Sequence, residues 1–148
     1  MTCTGENPWF LPGHPLPDNI HPTTSLKDAV KGQPIVLLVV PTHAIRQTLF
    51  KIKPYITKDC LVINASKGIE NNTLFTSHQI THDVLGPNIL TATISGPTFA
   101  KEVAEGVPSA LLASAENLDT AKHVQELFST ETMRVFANND LVGVEIGG

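Results

Sequence analysis

Apolar residues in this chain alternate between short unbroken runs and stretches where they recur every three or four positions. The run Ile35-Val36-Leu37-Leu38-Val39-Val40 is continuous and β-branched, which predicts a strand covered on both faces. Pro41 and Thr42 break it. Thr42 is a reasonable N-cap for a helix to about Lys53, with Ile45, Leu49 and Ile52 on one face and Pro54 closing it. A strand from Leu61 to Ala65 follows, then the loop Ser66-Lys67-Gly68, then a helix near Thr73 to Leu85 that Gly86-Pro87 ends. Another buried strand starts at Ile89 and turns sharply at Ser95-Gly96-Pro97-Thr98. Pro97 stands where a first-turn proline is tolerated, so the corner opens a helix that runs to about Glu105 and stops at Gly106. Ser109 to Ser114 is a fourth strand. A helix from Asn117 to Phe128 buries Ala121, Val124, Leu127 and Phe128, and Met133 to Phe136 form a fifth strand.

Strands and helices alternating through short loops imply βαβ units and a mostly parallel sheet, hence a doubly wound α/β fold. Ligands in such sheets bind beyond the carboxyl ends of the strands. The Pro41-Thr42, Ser66-Lys67-Gly68 and Ser95-Gly96-Pro97-Thr98 loops therefore share one rim.

The two ends break the alternation. Pro8, Pro12, Pro15, Pro17 and Pro22 crowd the first 24 residues, which reads as an irregular arm and a poor strand. A capping pattern at Ser25-Leu26-Lys27-Asp28 then starts a short helix ended by Gly32. Asp140 to Glu145 reads as a helix just under way, and no Gly-rich strand-to-helix turn precedes the first strand. A piece of something longer is the natural reading.

Composition narrows the partners. The 148 residues are 41% hydrophobic and 16% charged, with 10 Lys plus Arg against 14 Asp plus Glu. Without a basic block, nucleic acid is not an expected partner. The longest apolar run is far too short to span a bilayer, and no leader pattern follows Met1. Cys3 and Cys60 form no motif, and a cytoplasmic location fits.

The candidate chemistry clusters on the rim. Lys67, at a strand's carboxyl end, can reach into the crevice to attract phosphate or polarise a carbonyl. At the Gly96 corner, a helix N-terminus with the hydroxyls of Ser95 and Thr98 suits an anion, and Gly96 would let a ligand approach the backbone. Taken alone, the corner is also what an ordinary capped turn looks like. His78 and His82 stand four apart on a helix, but no acidic third ligand is placed with them, so a solvent-facing pair is expected and no metal site. His43 lies near the rim. Glu102 and Glu105 read as a polar helix face.

Five segments together resemble the bacterial NAD(P)-dependent glycerol-3-phosphate dehydrogenases. They are Leu11-Pro12-Gly13-His14-Pro15-Leu16-Pro17-Asp18-Asn19-Ile20, Val39-Val40-Pro41-Thr42-His43, Asn64-Ala65-Ser66-Lys67-Gly68-Ile69-Glu70, Ile94-Ser95-Gly96-Pro97-Thr98-Phe99-Ala100-Lys101-Glu102-Val103 and Asn139 to Gly148. The resemblance implies reversible hydride transfer between NAD or NADP and dihydroxyacetone phosphate, giving sn-glycerol 3-phosphate for phospholipid synthesis. It implies that Lys67 contacts cofactor and substrate, Gly96 and Thr98 the substrate, and Ala100 and Pro41 the cofactor. Residues 1–138 would be the later part of a Rossmann-like NAD(P)-binding domain, without its first Gly-rich βα unit. Residues 139–148 would begin a helical substrate domain. The family's proton-acceptor lysine is expected just after Gly148, so no catalytic residue is assigned within the chain. The resemblance leaves room for a homodimer of the full enzyme. Two rivals remain: a non-catalytic remnant or ligand-binding fragment, and a related dehydrogenase acting on another hydroxy acid.

Overall fold

The computed structural model describes residues 5–147, so Cys3 and the closing Gly148 lie outside the described residues. The proline-rich arm is not wholly irregular. β1 (Glu6–Asn7) and β2 (Leu11–Pro15) form an antiparallel hairpin. A two-stranded ribbon leaves one side of each strand unpaired, so Pro12 and Pro15 interrupt little of the ladder. The Glu6 carboxylate also accepts from the Gly13 N–H at 3.2 Å.

After the arm, α1 (Leu26–Val30) starts on Ser25, whose hydroxyl accepts from the Asp28 N–H. Then come β3 (Ile35–Leu38), α2 (Thr42–Ile52), β4 (Leu61–Asn64), α3 (Ser77–Leu85) and β5 (Leu90–Ser95). They are followed by α4 (Ala100–Ala104), β6 (Ser109–Ser114), α5 (Leu118–Phe128), β7 (Met133–Asn138) and α6 (Leu141–Gly147). Strands β3 to β7 form one five-stranded sheet in chain order. All neighbours are parallel except β5 and β6. The α/β, mostly parallel architecture is as the alternation predicted.

Period-two alternation splits the core between the two faces of the sheet. On one face Val36, Leu38 and Val62 pack with Ile45, Leu49 and Ile52 of α2 and with Ile80 and Val84 of α3. On the other, Leu61, Ile63, Ala92, Ile94, Ala113 and Val135 pack with Ala121 and Val124 of α5. Three expectations fail locally. Leu127 stays 47% exposed at the outer end of the α5 stripe. β3 is an edge strand, and its burial alternates, leaving Leu37 44% exposed. The helix expected from Thr73 begins only at Ser77, on a capping box made by Thr76 and Gln79.

The delay in α3 has a physical cause. Arg46 grips both oxygens of Glu70, at 2.8 and 2.9 Å, and also bonds Asp83. The bond to Arg46, helped by the Thr73 hydroxyl, holds the Glu70 carboxyl below the usual carboxylate range. With Glu70 pinned, the chain closes a turn on itself through Leu74 N–H to Glu70 O and Glu70 N–H to Phe75 O. Leu74 adopts a left-handed φ of 58° in the process. Residues 71–76 are spent on that turn.

Candidate functional site

The three rim loops follow β3, β4 and β5, which run parallel, so they meet at one end of the sheet as expected. Lys67 reaches from the β4 loop to the β5 corner and donates from Nζ to the Gly96 carbonyl at 2.9 Å. That carbonyl also accepts the Thr98 N–H at 2.9 Å. One of the three ammonium donors is thus used to park the side chain across the rim, and two remain for a ligand. The base of the Lys67 loop is tied down from β3 and α2. Ser66 Oγ accepts from the Val40 N–H at 3.3 Å, and the Thr42 hydroxyl donates to the Lys67 carbonyl. Gly68 takes φ +98°, which allows the tight exit from β4.

Lys67, Gly96, Thr98 and Ala100 line one cavity of about 520 Å³. The rest of its wall is almost entirely apolar, including Leu37, Val39, Ile94, Phe99 and Leu111, and Lys67 is the one charged residue in it. The exposed Lys67 ammonium is thus the charged anchor of an apolar cleft, with the Ser95 and Thr98 hydroxyls there to fix orientation. Pro41 is not in that wall. It caps α2, with its carbonyl accepting the Ala44 N–H at 2.8 Å. Thr42 is therefore the first helical residue rather than the N-cap.

The Gly96 corner differs from expectation in two respects. The helix does not open at Pro97. It opens at Ala100 with Phe99 at the N-cap and lasts five residues. Gly96 and Thr98 lie in the turn before it, so the anion site of a helix N-terminus is not what the corner offers. Nor is Gly96 there to leave open space for a ligand. A Cβ at that position would meet the Ala110 carbonyl oxygen at 2.6 Å and Leu111 Cδ2 at 2.8 Å. The glycine is required by close packing against β6.

The histidine pair also departs from expectation. His78 and His82 are both partly buried, with ring centroids 4.2 Å apart. His78 Nδ1 is 2.8 Å from the Thr91 hydroxyl. Burial, then the neighbouring His82, lowers the His78 pKa from its ordinary value. An acidic neighbour is present after all. Glu116, from the turn after β6, comes to 3.4 Å from His78 Nε2. Spacing along one helix could not show it, because the antiparallel β5–β6 pairing delivers it.

Glu145, which the sequence marks only as part of the closing motif, is a buried hydrogen-bonding hub. Its Oε1 accepts from the Ser77 hydroxyl, from the His78 N–H at 2.9 Å and from the Thr93 hydroxyl at 2.8 Å. A carboxylate on the first N–H groups of α3 also meets the positive end of that helix dipole. These bonds clamp α6 on α3 and β5 and aim its far end at the rim. Gly147 and Gly96 line the same neighbouring cavity of about 360 Å³. Replacing Glu145 with Gln keeps the volume and can keep an oxygen at Oε1, but it removes the charge and leaves an N–H₂ buried at the Oε2 position, which has no partner among the described residues. We expect a loss of about 1–3 kcal/mol, read as a lower urea midpoint at unchanged slope.

Comparison with known proteins agrees with this geometry. Residues 1–121 match the family described as NAD-dependent glycerol-3-phosphate dehydrogenase N-terminus. The chain is 44% identical over its whole length to a glycerol-3-phosphate dehydrogenase [NAD(P)+] of Desulfotalea psychrophila, covering 45% of that protein. It is 41% identical to the enzyme of the same name from Citrifermentans bemidjiense, again covering 45%. The chain thus spans under half the length of these relatives. A crystal structure of glycerol-3-phosphate dehydrogenase from Coxiella burnetii superposes with a TM-score of 0.89 at 30% identity, over 95% of this chain and 43% of that one. Matched by the family's N-terminal model over residues 1–121 and by its fold over 95% of its length, this chain belongs to the NAD-dependent glycerol-3-phosphate dehydrogenases and carries part of their N-terminal domain.

Proposed function

We propose that this chain is the central part of an NAD- or NADP-dependent dehydrogenase that reversibly interconverts dihydroxyacetone phosphate and sn-glycerol 3-phosphate. The observation that carries the reading is the convergence of Lys67, Gly96, Thr98 and Ala100 on one largely apolar cavity whose only charge is the Lys67 ammonium. A phosphorylated three-carbon ketone needs a cation for its anionic end and a small, water-poor chamber for its carbonyl.

In this reading Lys67 binds the substrate and one edge of the cofactor with the donors left free by Gly96. Thr98 offers its hydroxyl to the substrate. Ala100 and Pro41 flank the cofactor, whose nicotinamide supplies or takes the hydride. The proton acceptor in this reading is the lysine that the family resemblance puts just after Gly148, beyond the end of α6. The product would feed glycerophospholipid synthesis in the cytoplasm. Among the described residues, no helix is long and apolar enough to cross a membrane.

The test uses a chain extended to the length of its relatives. NADH or NADPH oxidation is followed with dihydroxyacetone phosphate and with unphosphorylated dihydroxyacetone. Turnover with the phosphate ester at a kcat/KM at least about a hundredfold higher is expected, given what one charged contact contributes. Equal rates with both ketones, or turnover only with an unrelated hydroxy acid, would sink the assignment.

A further inference from the structure

We infer that His78, His82 and Glu116 form a binding site for a single divalent metal ion, remote from the rim, that clips α3 to the turn between β6 and α5. One ligand atom from each of the three side chains lies within 4.8 Å of the other two. The two histidines are separated by one helical turn and already face each other, with ring centroids 4.2 Å apart. Glu116 closes the third corner with an oxygen 3.4 Å from His78 Nε2. Three donors bound tetrahedrally at about 2.0–2.1 Å lie about 3.3 Å from one another. The His78–Glu116 edge therefore has the spacing of a bound pair, and the edges to His82, within 4.8 Å, shorten to match it when the metal binds.

The outer partner points the same way. His78 Nδ1 sits 2.8 Å from Thr91 Oγ1, which fixes the ring and leaves Nε2 directed at Glu116. Ring orientation by a hydrogen bond from the other nitrogen is the usual support of a metal-bound histidine. Two imidazoles and one carboxylate favour Zn²⁺ or a similar borderline cation over Ca²⁺ or Mg²⁺, which take oxygen sets.

The site is not catalytic in the proposed reaction. Thr91 is the second residue of β5 and Ser95 its last, so the cluster and the Lys67 rim are separated by about 13 Å of strand. Its effect is to cross-link two elements that no covalent bond joins, which stabilises the folded state by mass action.

The protein, purified free of metal, is titrated with Zn²⁺ alone by calorimetry, and its thermal midpoint is followed in parallel. One saturable equivalent and a raised midpoint are expected. His82→Gln, at a partly buried position, and Glu116→Gln, at an exposed one, should each weaken binding at least tenfold and abolish the thermal shift, with the metal-free midpoint of Glu116→Gln near that of the parent. Absence of saturable binding, or binding that neither variant weakens, overturns the site. The readout does not depend on turnover, so it stands or falls separately from the proposed activity.

Discussion

Gly96→Ala should lower stability by about 1–3 kcal/mol, the range for forcing an extra methyl into a packed site. For a chain near 150 residues that corresponds to a drop of roughly 2–10 °C in thermal midpoint. The cause is geometric. The added Cβ would sit 2.6 Å from the Ala110 carbonyl oxygen and 3.1 Å from Leu111 Cα, both backbone atoms of β6. A flexible side chain could swing away, but these atoms are held by the β5–β6 ladder, where Ser95 pairs with Leu112. Relief therefore requires the corner to lift from the sheet. The Gly96 carbonyl moves with it, and that carbonyl anchors the Lys67 ammonium. Stability and substrate affinity should fall together. Gly147→Ala is the control. Nothing lies within 4 Å of a Cβ there, and alanine suits a helix, so no destabilisation is expected. A Gly96→Ala protein as stable as its parent would show that β6 yields easily and that the close packing is not the reason for the glycine.

The alternation of runs and periodic stretches carried most of the fold. Ile35 to Leu38, Leu61 to Asn64 and Ser109 to Ser114 are strands because continuous apolar runs of this length have few other ways to be buried. What failed depends on partners distant in the chain. Leu37 looks like any other buried position until β3 proves to be the edge of the sheet. Helix α3 starts late because Arg46, 24 residues away from Glu70, holds that carboxylate out of a helical path. Thr76-x-x-Gln79 is the local sign of the true start.

The site was legible in the same measure. Lys67, Gly96 and Thr98 stand out by their place after strands, Ala100 only through the family resemblance, and the fold gathers all four round one cavity. The Gly96 corner misleads in sequence, because Pro97 has the look of a first-turn proline yet precedes the helix by three residues. Glu145 and Glu116 had no local signal at all. A single carboxylate on a helix or in a turn looks solvated until β5, α3 and β6 are assembled around it.

Lys67→Met in the full-length enzyme should reduce kcat/KM for dihydroxyacetone phosphate by about 10²–10³-fold, or about 2.7–4 kcal/mol. Methionine keeps the stem and its contacts with the apolar wall but removes the only charge in the cavity. Stability should barely change. Lys67 is exposed, and its single bond to the Gly96 carbonyl is of the kind that contributes little net. That contrast separates a functional from a structural role, since Gly96→Ala should move both readouts and Lys67→Met only one. Lys67→Arg should recover little of the loss. The guanidinium is charged but planar and longer, so it cannot take the compact ammonium's place between the Gly96 carbonyl and a ligand. If Lys67→Met instead retained kcat/KM within a few-fold of the parent, the cavity's charge would be irrelevant to the substrate. If it lost thermal stability to the same degree as Gly96→Ala, the lysine would be a strut across the rim. The prediction is that the ammonium is held by the fold chiefly so that its two remaining donors face the cavity.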